Sequence, residues 1–202
     1  MRTRQTGTLV AALLLLLPLT ACAPPEEEIT AAENAVAEAE AAEAPTYAPE
    51  AWSEAMETLT AAKTEIETQK AKNFVTRSYK DARELLAQAE QKGRAAVTAA
   101  AEEKARATEA AREALDTARQ GMEEIRTLLA ELAECPRQPK GFKKDLELLA
   151  GQADAIEAEL ASAQQTFDDG DIYGATDAAA AVQEQIDGLT ADLTSAKEKI
   201  GC

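Results

Sequence analysis

This sequence contains no histidine, and aromatic residues make up only 3% of its 202 positions. Histidine is the usual acid–base group near neutral pH and a frequent metal ligand, so its absence argues against the commonest catalytic and zinc sites. The chain also has no glycine-rich phosphate loop and no motif that marks a nucleophile. We therefore expect a protein that is not an enzyme and that holds neither a metal nor a cofactor.

Strand-forming residues are scarce as well. Alanine supplies much of the 46% hydrophobic content, while glycine and proline number only 9 and 7. Alanine is the best helix former, whereas sheets favour residues such as valine, isoleucine and the aromatics, which are few here. The composition predicts an all-α fold.

Positive charge is in short supply, with 21 basic residues against 37 acidic ones and a formal net charge of −16. Such a surface repels the phosphate backbone of DNA and RNA. We exclude nucleic acid as a partner.

The chain begins with the features of a secretory signal. Arg2 and Arg4 precede an apolar run over residues 9–17, which is too short to cross a bilayer. The Leu19-Thr20-Ala21-Cys22 segment that follows resembles the lipobox of bacterial lipoproteins. The resemblance implies a signal peptide over residues 1–21 and lipidation of Cys22, which becomes the mature N-terminus. The alternative is an ordinary secretory signal that ends near a cysteine by chance.

The predicted lipid also indicates a location. Residue 23 is Ala and not Asp, which in Gram-negative lipoproteins implies the outer membrane, facing the periplasm. In a bacterium with one membrane, the outer face of that membrane is expected. Cleavage removes two basic residues and no acidic one, so an anionic leaflet should repel the body. The sequence suggests no basic patch that would hold the body on the surface, which leaves the lipid as the membrane anchor.

Five helices are predicted after a short lipidated linker over residues 22–25. The first covers about residues 26–44, and the second begins at Pro49, with Trp52, Met56, Leu59 and Ile66 on one stripe. A central helix over about residues 75–134 begins with an apolar stripe at residues 75, 79, 82, 86 and 89.

Heptad spacing marks the second half of this helix and the two helices that follow it. The three apolar seams are Leu115, Ala118, Met122, Ile125, Leu129 and Leu132; Phe142, Leu146, Leu149, Ala153, Ile156, Leu160, Ala163 and Phe167; and Ala175, Ala179, Val182, Ile186, Leu189, Leu193, Ala196 and Ile200. Short connections favour antiparallel neighbours.

We therefore expect an elongated helical bundle made of two three-helix bundles in series that share one long central helix. The domains would cover residues 26–97 and 98–202. A looser coiled coil is the alternative, and pairing of the seams between chains would give a homodimer. Residues 63–144 carry most of the basic residues, so they could attract the acidic flanking helices; the charges could equally be solvated faces.

Cys135 and Cys202 are the remaining cysteines. Two helices of similar length separate them, so the hairpin brings both to one end, and the compartment beyond the inner membrane is oxidising. We predict a disulfide between them. Free thiols, or an intermolecular bond through Cys202, are the alternatives.

Two further groups of residues are candidates for binding. The turn at Asp168, Asp169 and Asp171 could attract Ca²⁺, although it lacks the EF-hand spacing. A solvated turn in which Asp171 caps the next helix is the simpler interpretation. Trp52, Phe142 and Phe167 could line a ligand groove, or could be ordinary seam residues.

The segment AAENAVAEAEAAEAPTYAPEAWSEAMETLTAAKTEIETQ, directly after the lipobox, resembles the alanine-rich helical domain of bacterial envelope lipoproteins that is classed as a domain of unknown function. The resemblance covers roughly residues 29–97 and implies an all-helical, envelope-associated body. The segment from Gly170 looks like the start of a tetratricopeptide helix, but no second repeat follows.

These observations favour a structural or interaction lipoprotein that binds another envelope protein through helix faces. The alternatives are a periplasmic small-molecule or Ca²⁺-binding lipoprotein, or an envelope spacer. Covalent attachment to the cell wall through a terminal lysine is doubtful, because the chain ends Lys199-Ile200-Gly201-Cys202.

Overall fold

The computed structural model describes residues 23–202, and it is all-α, as the composition predicts. Of these residues, 85% are helical and none lies in a strand. The described residues form six helices: α1 (Glu26–Ala41), α2 (Ala44–Tyr47), α3 (Pro49–Lys70), α4 (Lys80–Glu134), α5 (Phe142–Asp168) and α6 (Ile172–Ile200). The predicted signal peptide and Cys22 lie outside the described residues.

The chain divides into two compact units between Glu103 and Lys104, a point inside α4. The domain boundary expected from the sequence falls between residues 97 and 98. We call the part up to Glu103 unit 1 and the part from Lys104 unit 2.

Unit 1 has a small core that is built largely from alanine. Its buried residues come from α1, α3, the start of α4 and the segment before α4: Ala32, Val36, Ala55, Leu59, Ala62, Ile66, Tyr79, Ala82, Leu86 and Ala89. Alanine lets helix backbones approach closely but removes little apolar area from water per residue. The larger side chains, with Tyr79 and Leu86 fully buried, therefore contribute much of the apolar area in this core.

Contacts between helices show the relative directions of α1, α3 and α4 in unit 1. Arg83 near the start of α4 lies 3.1 Å from Glu28 near the start of α1, and Gly93 farther along α4 packs against Ala35 farther along α1, so these two helices run in the same direction. Lys92 of α4 lies 3.3 Å from Glu54 near the start of α3, whereas Gln69 at the end of α3 bonds to Arg77 and Ser78 just before α4, so α3 runs the opposite way. The beginnings of α1 and α4 and the end of α3 consequently lie at one end of unit 1.

The predicted first helix is three residues too long. α1 ends at Ala41, because Glu43 takes a left-handed conformation with φ of 60°. Pro45 does not simply terminate a helix, since it lies in the first turn of the additional short helix α2. Proline is well suited to this position, where its missing N–H has no intrahelical partner in any case.

The prediction that the central helix begins near Val75 is wrong, because α4 begins at Lys80. Side-chain hydrogen bonds hold the preceding segment in a non-helical loop. Arg77 donates to the carbonyl oxygens of Gln69 (3.0 Å), Lys70 (2.8 Å) and Lys72 (3.0 Å), and the Gln69 Oε1 atom accepts from the Ser78 N–H (3.0 Å). The Arg77 bonds supply donors to carbonyl groups at and just beyond the end of α3, where intrahelical donors run out; the Gln69 carbonyl also accepts the Lys72 N–H at 3.1 Å.

Unit 2 contains the larger core, and here the predicted seams are confirmed. All the predicted seam residues are buried or pack against that core, from Leu115 in α4 to Ile200 at the end of α6. α5 and α6 form a hairpin whose turn passes through Gly170, with a φ of 91°. This left-handed conformation favours glycine.

No helix within residues 23–202 is both long and apolar enough to cross a membrane.

Candidate functional site

The structure joins the two predicted cysteines, Cys135 and Cys202, in a disulfide with their Cα atoms 6.0 Å apart. Cys135 is buried just beyond the end of α4, and Cys202 follows the end of α6. The bond closes a loop with a sequence separation of 67 residues that contains both α5 and α6. It therefore ties the C-terminus to the end of α4 within unit 2.

The acidic turn uses its carboxylates locally. Asp171 caps α6, because its Oδ1 atom accepts the Gly174 N–H at 2.9 Å. Asp168 and Asp169 each accept a side-chain amide N–H at 2.8 Å, from Gln164 and Gln165. Throughout residues 23–202, no group of three or more acidic, cysteine or histidine side chains is arranged to hold a metal ion.

The three predicted aromatic residues do not form one groove. Phe142 belongs to the core of unit 2, and Phe167 packs against that core with the Arg112 guanidinium 5.8 Å from its ring centre. Trp52 is in unit 1 and borders an open groove there. Of the three aromatics, Trp52 is the candidate that lines a binding surface.

We call this surface the Trp52 groove. It has a volume of about 800 Å³, and Trp52, Met56, Thr60 and Thr64 line it at successive turns of α3 while Leu85 contributes from α4. The sequence placed Met56 on the buried stripe, but its side chain is 38% exposed, because Ala55 occupies the core position instead.

One polar atom in the groove has no partner. The Trp52 Nε1 atom is buried and donates no hydrogen bond to the described residues. A buried N–H without an acceptor costs free energy. Because the atom is inaccessible to solvent, a partner or ligand in the groove would supply an acceptor only if the indole ring turned toward it.

A second groove, of about 440 Å³, lies between α4 and α5 in unit 2. Its two arginines already have partners across the groove: Arg126 pairs with Glu157, and Arg119 donates to Gln164. The hydrogen bond to Glu157 and the charge of that residue raise the pKa of Arg126. These contacts hold α4 against α5, so this groove is a helix contact rather than a free anion site.

A third feature was missed by sequence analysis. Phe74 and Val75 are 76% and 77% exposed, in the loop between α3 and α4. Residues 70–80, which we call the basic loop, contain four basic side chains and no acidic one. The signal was present in the letters KAKNFVTRSYK, but assigning Val75 to a helix stripe concealed it.

No protein-family model, curated protein or solved structure matches this chain. The resemblance to the helical domain of envelope lipoproteins therefore stays a prediction. Two surfaces of the described residues stand out: the Trp52 groove in unit 1, and the loop that exposes Phe74 and Val75 between basic side chains. Both arrangements suit binding.

Proposed function

We propose that this chain is a lipid-anchored, non-catalytic lipoprotein of the bacterial cell envelope that binds another envelope protein through a helix face. The observation that carries the proposal is the lipobox ending at Cys22, four residues before the first helix begins at Glu26. With so short a linker, a lipid on Cys22 would hold the helical body close to the membrane. The outer membrane, facing the periplasm, is the proposed location.

The finer architecture is part of this proposal. The long proline-free stretch in the sequence favours two three-helix bundles in series that share the central helix, and an elongated body. Such a body, tethered by its N-terminus, would present helix faces to proteins in the periplasm. The likeness to alanine-rich envelope lipoproteins supports the same interpretation.

The Trp52 groove is the proposed contact for the partner. Met56 is exposed there, Trp52 and Leu85 are half-buried, and the groove is open along α3. An amphipathic helix can bind such a groove through apolar side chains at three- and four-residue spacing. Methionine adapts to differently shaped partners because its side chain is unbranched and flexible.

Photo-cross-linking in intact cells tests this proposal. A photoreactive side chain at Met56 should capture a specific envelope protein, and capture should be lost when Cys22→Ser removes the anchor. The matched control places the same group at Glu54, which is also on α3 but about half a turn away and exposed. Equal capture from both positions, or none from Met56, would contradict the proposed contact, and capture of a second copy of this chain would show a homodimer instead.

One observation favours a second candidate, a small-molecule binder. The unpartnered Trp52 N–H lies beside a groove large enough for a small ligand. A ligand that fills the groove should raise the melting temperature and change the emission of Trp52, the only tryptophan in the chain. Melting that is also sensitive to Ca²⁺ or to a chelator would point to the acidic turn.

A further inference from the structure

We propose that the basic loop, residues 70–80, docks on the surface of an anionic phospholipid bilayer, with Phe74 and Val75 inserted among the headgroups. The inference deepens the proposed function, because it rests on a lipid at Cys22 that brings this end of unit 1 to the membrane. It adds a second point of attachment, which would fix how unit 1 is oriented on the bilayer.

The basic loop lies at the end of unit 1 that is next to the predicted site of lipidation. The basic loop joins the end of α3 to the start of α4, and these lie at the same end of unit 1 as the start of α1. The Arg83 Nη2 atom donates to the carbonyl oxygen of Ala23 at 3.4 Å. Cys22 directly precedes Ala23, and consecutive Cα atoms are only 3.8 Å apart. A lipid on Cys22 would therefore enter the bilayer beside this loop.

The basic loop exposes two large apolar side chains to solvent. Phe74 and Val75 are the most exposed large hydrophobic side chains of residues 23–202, and they are adjacent in the chain. The hydrogen bonds of Arg77 and Gln69 hold the loop against the end of α3. Because the loop is already ordered, inserting the two side chains into a bilayer would require little further loss of conformational freedom.

The basic loop also carries positive side chains that lipid phosphate groups can attract. Lys72 and Lys80 are exposed and form no ion pair within the described part of the chain, so both are available to phosphate groups. Arg77 adds charge, while Lys70 is paired with Glu67 at 2.8 Å. Acidic residues are also present at this end, at the start of α1 (Glu26, Glu27 and Glu28) and in the first turn of α4 (Asp81), and Arg83 pairs with Glu28.

This local charge differs from the expectation that no basic patch holds the body on the membrane. The expectation came from the charge of the whole chain, which averages over surfaces that point in different directions. Electrostatic attraction to a leaflet decays within about one Debye length, roughly 8–10 Å. The charge of the loop that approaches the lipid therefore matters more than the total.

Tryptophan fluorescence can measure the depth of this loop. In the native protein the single tryptophan, Trp52, is at the start of α3, near the opposite end of unit 1. The double variant Trp52→Phe/Phe74→Trp moves the fluorophore to the loop. Both full-length proteins are reconstituted in phosphatidylethanolamine–phosphatidylglycerol vesicles with and without brominated lipid, after circular dichroism has shown that they are folded.

Brominated lipid should quench at least half of the emission of the Phe74→Trp variant and little of the emission of native Trp52. Exchanging both Lys72 and Lys80 for glutamine should lower the equilibrium constant for insertion of the loop into these anionic vesicles by about fivefold per lysine. The same exchange should have little effect on neutral phosphatidylcholine. Emission from the Phe74→Trp variant that is unquenched, or quenched no more than Trp52, would overturn the inference.

The mass of each purified protein shows whether Cys22 carries a lipid, so that failure of the anchor can be distinguished from failure of the loop to insert. An unlipidated Cys22 would contradict the anchor, and the same quenching assay with added vesicles would still decide whether the loop inserts. A lipidated protein whose loop stays in water would refute the docking surface and leave the anchor intact.

Discussion

Gly93 of α4 packs directly against the backbone of Ala35 in α1. A Cβ atom added at Gly93 would lie 2.8 Å from the Ala35 carbonyl carbon and 2.9 Å from its oxygen. These are backbone atoms, which cannot move aside as the end of a flexible side chain can. The absence of a side chain at residue 93 is what allows α1 and α4 to approach so closely.

We predict that Gly93→Ala destabilises the protein by about 1–2 kcal/mol. The overlap should cost about 1–3 kcal/mol, while the gain in helix propensity recovers at most about 1 kcal/mol. Urea unfolding, followed by circular dichroism, measures the difference.

The control for this prediction is Gly151→Ala in α5. Residue 151 is exposed and has no atom within 4 Å of an added Cβ. This exchange should stabilise the protein by about 0.5–1 kcal/mol, since only the propensity changes. Opposite signs at the two glycines support the close packing, and stabilisation at both positions would show that α1 and α4 are farther apart.

Reducing the bond between Cys135 and Cys202 should destabilise unit 2 by about 4 kcal/mol, on the chain-entropy estimate for a loop of this length. The measurement compares thermal unfolding with and without reductant. The Cys135→Ala/Cys202→Ala variant is the control, because reductant should not affect it. Freshly isolated protein whose two thiols are alkylated without reduction would contradict the disulfide, and a reducible dimer would point to an intermolecular bond through Cys202.

Asp171→Ala should destabilise the hairpin of α5 and α6 by about 1 kcal/mol. The exchange removes the acceptor for the Gly174 N–H and so leaves the first turn of α6 uncapped. Asp169→Ala is the matched control and should change stability by less than about 0.5 kcal/mol, because its bond to Gln165 is exposed. Equal losses measured by urea unfolding would mean that the capping bond is not the cause.

Arg77→Ala should lower the free energy of unfolding by about 1–2 kcal/mol, because this side chain donates to three carbonyl groups at and just beyond the end of α3, one of which also accepts the Lys72 N–H. Amide hydrogen exchange should also accelerate in the last turn of α3 and at the Ser78 N–H. Lys72→Ala, in the same loop, should leave both the stability and the exchange rates nearly unchanged. Matching effects from the two variants would indicate that lost charge, and not lost hydrogen bonds, is responsible.

The sequence was most informative where large apolar residues repeat in heptads. The spacing of residues such as Leu115, Ile125, Ile156 and Ile186 identified the core of unit 2, because few other arrangements bury all of them. Alanine carries a weaker signal, since it fits either a core or a surface position. Burial of Ala55 in place of Met56 therefore could not be predicted, and neither could the exposure of Met56 in the Trp52 groove.

The basic loop was missed for a different reason. Local propensity allows a helix through Phe74 and Val75, but the tertiary hydrogen bonds of Arg77 and Gln69 select a loop. Those bonds join residues seven to nine positions apart, for example Ser78 to Gln69, and no periodic pattern records them. The basic composition of residues 70–80 is visible in the sequence, but the loop conformation that exposes Phe74 and Val75 depends on these tertiary bonds.

Mass spectrometry of the mature N-terminus, on protein extracted from the membrane fraction of its native cells, tests the anchor on which this account depends. We predict that residues 1–21 are absent and that the first residue is Cys22, with a diacylglycerol thioether on its sulfur. Cys22→Ser should release the protein from the membrane fraction. An N-terminus elsewhere, or an unmodified Cys22 on a protein that still fractionates with membranes, would contradict the account.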